Sequence, residues 1–233
     1  MKKSFITLLS LFMFWSCAEL QQVVNQLPQG GMGNDDIASG LRQALDFGID
    51  KQVSKLTQTD GFFKNDLVKI LLPEELRKVD KTLRDVGLGN LADEGLKVLN
   101  RAAEDAVKEA TPIFVDAVKS ITFADAKNIL LGSDNAATQY LAGKTETSLY
   151  AKFNPVIKNS FSKVGADKIW NNLITRYNAL PLTADVNPDL TDYVTNQALK
   201  GVYAMIAVEE KDIRTKYSSR TTDLLKRVFA LQD

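Results

Sequence analysis

The residues of this 233-residue chain best suited to chemistry lie where polar side chains interrupt apolar helical faces. Asn100-Arg101 falls inside an alanine-rich stretch, with Glu104 and Asp105 one turn further on. Arg101 there offers a planar, two-pronged clamp for a carboxylate or phosphate. The plainer alternative is an ion pair with Asp105, four residues on, on a solvated face. Asp134-Asn135-Ala136-Ala137-Thr138-Gln139-Tyr140 is dense in hydrogen-bonding groups, and a helix beginning there presents free N–H groups to an anion. Its alternative is a capped turn between two short helices. Asp116 and Asp125 flank a helix junction and offer a carboxylate pair for acid–base work, against ordinary capping and surface roles. Glu209-Glu210-Lys211-Asp212 with Arg214 reads as a solvated charged face. The candidate ligand-binding residues are therefore Asn100, Arg101, Asp134, Asn135, Thr138 and Tyr140.

Two features of composition narrow the chemistry. The chain has no histidine, which excludes Ser-His-Asp and Cys-His triads and His-ligated zinc or haem. Its one cysteine, Cys17, lies near the N-terminus, so the rest of the chain has no disulfide, thiol nucleophile or thiolate metal site. No metal or other cofactor is expected, and no catalytic residue is identified. Lys plus Arg and Asp plus Glu both number 29. That balance disfavours nucleic acid as a partner, since phosphate neutralisation dominates such binding.

The first residues read as an address. Met1-Lys2-Lys3 is a positive start, and Phe5 to Trp15 is an apolar run broken only by Thr7 and Ser10. The run is shorter than the ~20 residues needed to span a bilayer and fits the core of a signal peptide over residues 1–16. Phe14-Trp15-Ser16-Cys17 resembles a lipobox, the bacterial motif whose cysteine is acylated. Ser16 matches it, while Phe14 and Trp15 depart from its usual residues. The rival is a small-x-small site, Ser16-Cys17-Ala18, cut after Ala18 to release a soluble protein. The placement of the sole cysteine favours lipidation of Cys17, and several acyl chains would anchor the protein firmly in a membrane. Ala18 after the cysteine resembles lipoproteins sent on to the outer membrane. From Cys17 to Asn34 the composition is that of a flexible linker, with Gly30-Gly31-Met32-Gly33 at its end. No strand precedes these glycines and no Gly-Lys-Ser/Thr follows, so they make a poor phosphate loop.

Helix signals then dominate residues 35–233. Asn34 or Asp35 caps a helix to about Leu56, with Ile37, Leu41, Leu45 and Ile49 at spacings of four. Phe62 to Leu72 is a short strand or a buried extended segment. Pro73 opens a helix that Gly87 ends. Leu91 to Ile121 carries a long apolar stripe, rich in alanine for close approach, which Pro112 kinks or splits. Thr122-Phe123-Ala124-Asp125 reads as a capping box. Asp134 caps a short helix through Tyr140 and Leu141, and Thr145 caps another that bends or restarts at Pro155. A further helix is expected over Ala166 to Asn178. Asn187-Pro188 opens a long one, with Glu210–Arg214 and Asp212–Lys216 paired along its end. A last helix covers about Thr221 to Ala230. The scattered aromatics, among them Phe114, Tyr140, Phe153, Trp170 and Tyr203, read as core anchors rather than a stacking platform.

Three stretches, LPEELRKVDKTLRDVGLGNLADE, LNRAAEDAVKEATPIFVDAVKSITFADAKNILLGSDNAATQYL and YVTNQALKGVYAMIAVEEKDIR followed by LLKRVF, together resemble one bacterial family, domain of unknown function 4197. They run in order from about Leu72 to Phe229. The resemblance implies an exported, mostly helical protein of a Gram-negative bacterium and supplies no activity or catalytic residue.

The expected fold is mainly α, one domain arranged as a bundle or orthogonal helical array, with at most a small β element near residues 62–72. The expected function is a non-enzymatic binding or structural lipoprotein at the periplasmic face of the outer membrane, meeting an envelope protein or small molecule. One alternative is a carboxylate-dependent cell-wall glycosidase or lyase, which needs two carboxyl groups converging in a cleft. The other is a helical carrier of a lipid or other apolar ligand, which needs a continuous apolar cavity.

Overall fold

A computed structural model describes residues 33–85, 87, 89–163, 165, 168, 175 and 189–232. The expected signal peptide, Cys17, nearly all of the expected linker, the helix expected over Ala166 to Asn178 and the expected Asn187-Pro188 cap lie outside the described residues. The fold is mainly α, and no strand occurs among the described residues. The helices are α1 (Asn34–Leu56), α2 (Glu74–Asp85), α3 (Gly89–Val107), α4 (Ala110–Lys119), α5 (Phe123–Leu130), α6 (Ala136–Lys163), α7 (Thr191–Thr215) and α8 (Asp223–Phe229), with a 3-10 turn at Tyr217–Ser219.

The apolar spacings decide which faces meet. Leu149, Phe153 and Ile157 of α6, Val194, Ala198 and Val202 of α7, and Leu99, Ala103 and Ala106 of α3 are all fully buried. The three helices pack on one another, and α1 closes the core from the other side against α4, α5, α7 and α8. Phe114 of α4 meets Tyr203 of α7 edge to face, with centroids 6.1 Å apart. Burial raises the Tyr203 phenol's pKa, partly offset by its hydrogen bond with Thr145.

Proline acts differently at its two helical positions. Pro112 splits the long stripe into α3 and α4, but the break falls at residues 108–109. A proline ring clashes with the carbonyl four residues before it, here that of Lys108, and its missing N–H costs nothing in the first turn of a new helix. Pro155, in contrast, sits inside an unbroken α6 of 28 residues. The expected caps and restarts within residues 134–161 are thus corrected to one helix. The buried stripe of Leu149, Phe153, Ile157 and Phe161 continues across Pro155, and its burial outweighs a proline penalty of about 3 kcal/mol. Thr145 is no cap: its hydroxyl donates to the Leu141 carbonyl (2.7 Å) inside the helix.

The capping box at Thr122 is present. Thr122 Oγ1 accepts from the Asp125 N–H at 3.1 Å, and the Asp125 carboxylate accepts from the Thr122 N–H at 2.9 Å. These bonds, that from the Thr122 backbone first, hold the Asp125 carboxyl below the usual carboxylate range. A carboxyl whose pKa falls on folding stabilises the fold above its unfolded pKa, and the contribution is lost as pH falls through the folded value. Urea midpoints are therefore expected to drop below about pH 4, and Asp125→Asn should make that acid limb shallower than in the unaltered chain.

The segment between α1 and α2 forms turns followed by an extended run into Pro73. It lies on α7 at Gly201, where a Cβ would stand 2.7 Å from Cε1 of the fully buried Phe62 ring. A side chain there would push the loop off the bundle.

Candidate functional site

Three polar side chains of α3, Asn100, Arg101 and Glu104, are spent on this loop. Asn100 is fully buried, and its carboxamide serves both backbone groups of Ile70: Oδ1 accepts the Ile70 N–H at 2.8 Å, and Nδ2 donates to the Ile70 carbonyl at 2.9 Å and to Leu96 O at 2.8 Å. One amide side chain thus stands in for the neighbouring strand that an extended segment ordinarily needs. Glu104, also buried, accepts the Phe62 N–H at 3.2 Å. Arg101 bridges Glu104 (2.9 Å) and Asp60 (2.8 Å), and Lys64 holds the other Asp60 oxygen at 2.8 Å. The bond from Lys64 comes first among the causes that keep the Asp60 carboxyl below its usual range, with the Arg101 and Lys97 charges adding to it. The expected Arg101–Asp105 pair is corrected. Asp105 instead pairs with Lys108, and Arg101 turns toward the loop because the buried Glu104 requires a counter-charge. Tyr193 of α7 completes the fastening, donating to Leu71 O at 2.8 Å.

A second network joins helix ends. The first turn of α6 does bind an anion, and that anion is the chain's own Glu210. Its oxygens accept from the N–H groups of Ala137 (2.9 Å) and Thr138 (2.8 Å) and from the Thr138 hydroxyl (2.8 Å). Arg214 binds Glu210 at 2.8 Å and donates to the last carbonyls of α5, Ile129 O at 2.8 Å and Leu130 O at 3.1 Å. A carboxylate at a helix N-terminus and a guanidinium at a helix C-terminus both complement the helix dipoles. The reading of Glu209 to Arg214 as a solvated face is corrected: the Glu210 and Arg214 side chains are each only 5% exposed. Glu209 is likewise buried, taking Lys51 and Gln52 of α1 at 2.7 Å each. Arg220 closes the end of α7 by donating to Ile213 O and Arg214 O.

The sequence-derived candidates therefore divide. Asn100 and Arg101 hold the loop, Thr138 belongs to the Glu210 network, and the two clusters share no residue. Asn135 is exposed and accepts from Ser133 and Gln139. Tyr140 lies half-buried beneath Lys144, whose ammonium is 5.6 Å from the ring centroid. Asp134 stands at the rim of an open cleft of about 410 Å³ with Arg214, Thr215 and Gln232. The Arg214 guanidinium is committed to Glu210, and Leu130 O, also in that cleft, accepts from both Arg214 and Gln232. Asp116 is exposed on α4, while the Asp125 carboxylate is engaged by its cap.

Glu209 and Glu210 line one cavity of about 20 Å³, walled by Leu41, Leu45, Ile206 and Phe229. It has room for a single water, against the 300 Å³ or more typical of a ligand pocket. Among the described residues no group of three or more Cys, Asp or Glu is placed to hold a metal ion, and no helix is long and apolar enough to cross a membrane.

Gln52, Asp60 and Arg220 carry no signal in the sequence, and Glu104 stands in it only as a neighbour of Arg101. Glu209 had a signal: Ala198, Val202, Met205, Glu209 and Ile213 form one unbroken helical stripe, so Glu209 lies on the buried face.

No curated protein and no solved structure matches the chain. A family model described as Protein of unknown function (DUF4197) matches residues 31–230. That match takes in every described helix, from Asn34 to Phe229, and the chain belongs to this family of proteins of unknown function.

Proposed function

We propose that this protein is an envelope lipoprotein, held through acylated Cys17 at the periplasmic face of the outer membrane, whose helical domain binds or scaffolds rather than catalyses. The observation that carries the non-catalytic part is the use made of the buried charges. Glu104, Glu209, Glu210 and Arg214 are each engaged by a backbone group or a charged partner within the fold. A catalytic carboxylate must reach the proton it moves on a substrate, and the cavity shared by Glu209 and Glu210 is of single-water size. An apolar carrier would need a continuous cavity that this core does not open among the described residues. The membrane part is supported by the sequence alone: the charged start, the apolar run, Ser16-Cys17 and the glycine-rich linker.

Expression in a Gram-negative host tests the anchor. The mature chain is expected to begin at an acylated Cys17 by mass spectrometry, to float with outer membranes, and to leave them with detergent but not with high salt. Cys17→Ser should abolish acylation. A cytoplasmic chain retaining Met1, or a chain beginning at Glu19, overturns the anchor, and turnover in a screen of cell-wall hydrolase substrates overturns the non-catalytic reading.

A further inference from the structure

The loop fastened by Asn100, Arg101 and Glu104 has an outer face that the fold leaves open. Val68, Ile70 and Leu72 point into the core, while Leu67 and Leu71 are 58% and 52% exposed. Loops this long are uncommon inside compact domains unless they serve a function, and rigid support is what positions a binding loop. Beside the leucines, Lys69 and Lys97 converge on one aromatic ring, their ammonium nitrogens 4.4 and 5.8 Å from the centroid of Phe63. Neither lysine has a carboxylate within ion-pair distance among the described residues. Asp60 and Glu104, the carboxylates that face this corner from the loop and α3, are already engaged by Lys64 and Arg101, while Asp66 and Glu94 flank it in solvent.

We propose that this corner docks on an anionic phospholipid surface, with Leu67 and Leu71 entering the interface and Lys69 and Lys97 meeting lipid phosphates. Apolar tips beside two lysines that form no ion pair among the described residues supply the two attractions that hold a protein to such a surface, area burial and charge. The proposal rests on the membrane-anchored reading and gives the second contact of the domain with its bilayer. The geometry allows both contacts at once. The loop follows the far end of α1, about 34 Å from its start, whereas a chain of seventeen residues, the number from Cys17 to Gly33, reaches at most about 55–60 Å.

The full chain carrying Leu67→Cys or, as control on the exposed face of α1, Phe47→Cys is labelled with an environment-sensitive dye on phosphatidylcholine vesicles with and without phosphatidylglycerol. Where Cys17 is not acylated, Cys17→Ser keeps the label at one position. The dye at 67 is expected to shift to the blue only with phosphatidylglycerol, and the dye at 47 to stay in water. Lys69→Gln with Lys97→Gln should raise the vesicle concentration for half the shift on the order of tenfold. A dye at 67 that remains in water, shifts equally at 47, or responds only to added envelope protein overturns the proposal, the last in favour of a protein partner. Mass analysis of the chain with Cys17 unsubstituted separates the two readings: with Cys17 found unacylated, a blue shift at 67 removes the anchor and keeps the docking surface, and an acylated Cys17 with 67 in water does the reverse.

Discussion

Glu210→Ala is expected to lower the unfolding free energy by about 3–5 kcal/mol, read as a fall in the urea midpoint at constant slope. Removing this carboxylate leaves the Arg214 guanidinium buried without its counter-charge and strips the first turn of α6 of the acceptor for two N–H groups and a hydroxyl. A buried charge without a partner is among the few single-site changes that cost this much. Surface ion pairs on the same helix provide the internal comparison. Lys216 and Asp212 are 59% and 32% exposed, and Asp212→Ala should cost less than about 1 kcal/mol. A double-mutant cycle of Glu210→Ala with Arg214→Ala should show the double variant less destabilised than the sum of the singles. Additive costs, or a loss of under 1 kcal/mol for Glu210→Ala, would mean that the pair does not tie α5, α6 and α7 together.

Asn100→Leu is expected to cost about 3 kcal/mol, because it leaves the buried N–H and C=O of Ile70 without partners, each worth roughly 1–3 kcal/mol. Leucine shares the branched skeleton of asparagine and is the bulkier of the two, so the substitution opens no cavity. The effect should also be local in a way that Glu210→Ala is not. Hydrogen exchange at the Ile70 amide should accelerate strongly, while amides in the middle of α6 keep their protection relative to the new global stability. Equal acceleration at both places would deny Asn100 its role as the fastening of the loop. The same variant bears on membrane docking, since a loosened loop no longer presents Leu67 and Leu71 on a fixed surface.

Much of the helical skeleton was legible because it follows from local rules. The apolar spacing of four over Leu41, Leu45 and Ile49 located α1, and Thr122 with Asp125 marked the start of α5 through a cap that needs only four residues. Asn100 and Arg101 stand out in the sequence as polar groups interrupting an apolar face. Their task was not legible, since it depends on Ile70, thirty residues earlier in the chain, and on Asp60. The sequence offers the first turn of α6 either as a site for a ligand anion or as a capped turn, and its N–H groups are taken by the chain itself. That its anion comes from Glu210, seventy-three residues away from Ala137, is a fact of packing.

The sequence by itself determined the helical class, most of the faces that turn inward and the Thr122 cap, because each of these depends on residues within a few turns of one another, and its composition excluded histidine chemistry. Tertiary structure alone decided that Pro155 is carried through an unbroken helix, that Glu209, Glu210 and Arg214 are buried while Lys211 and Asp212 stay toward solvent, and that the residues between α1 and α2 stay a loop instead of a strand. Each of those outcomes balances a local preference against burial or a charge partner brought in from a distant part of the chain, and that balance exists only once the helices have met.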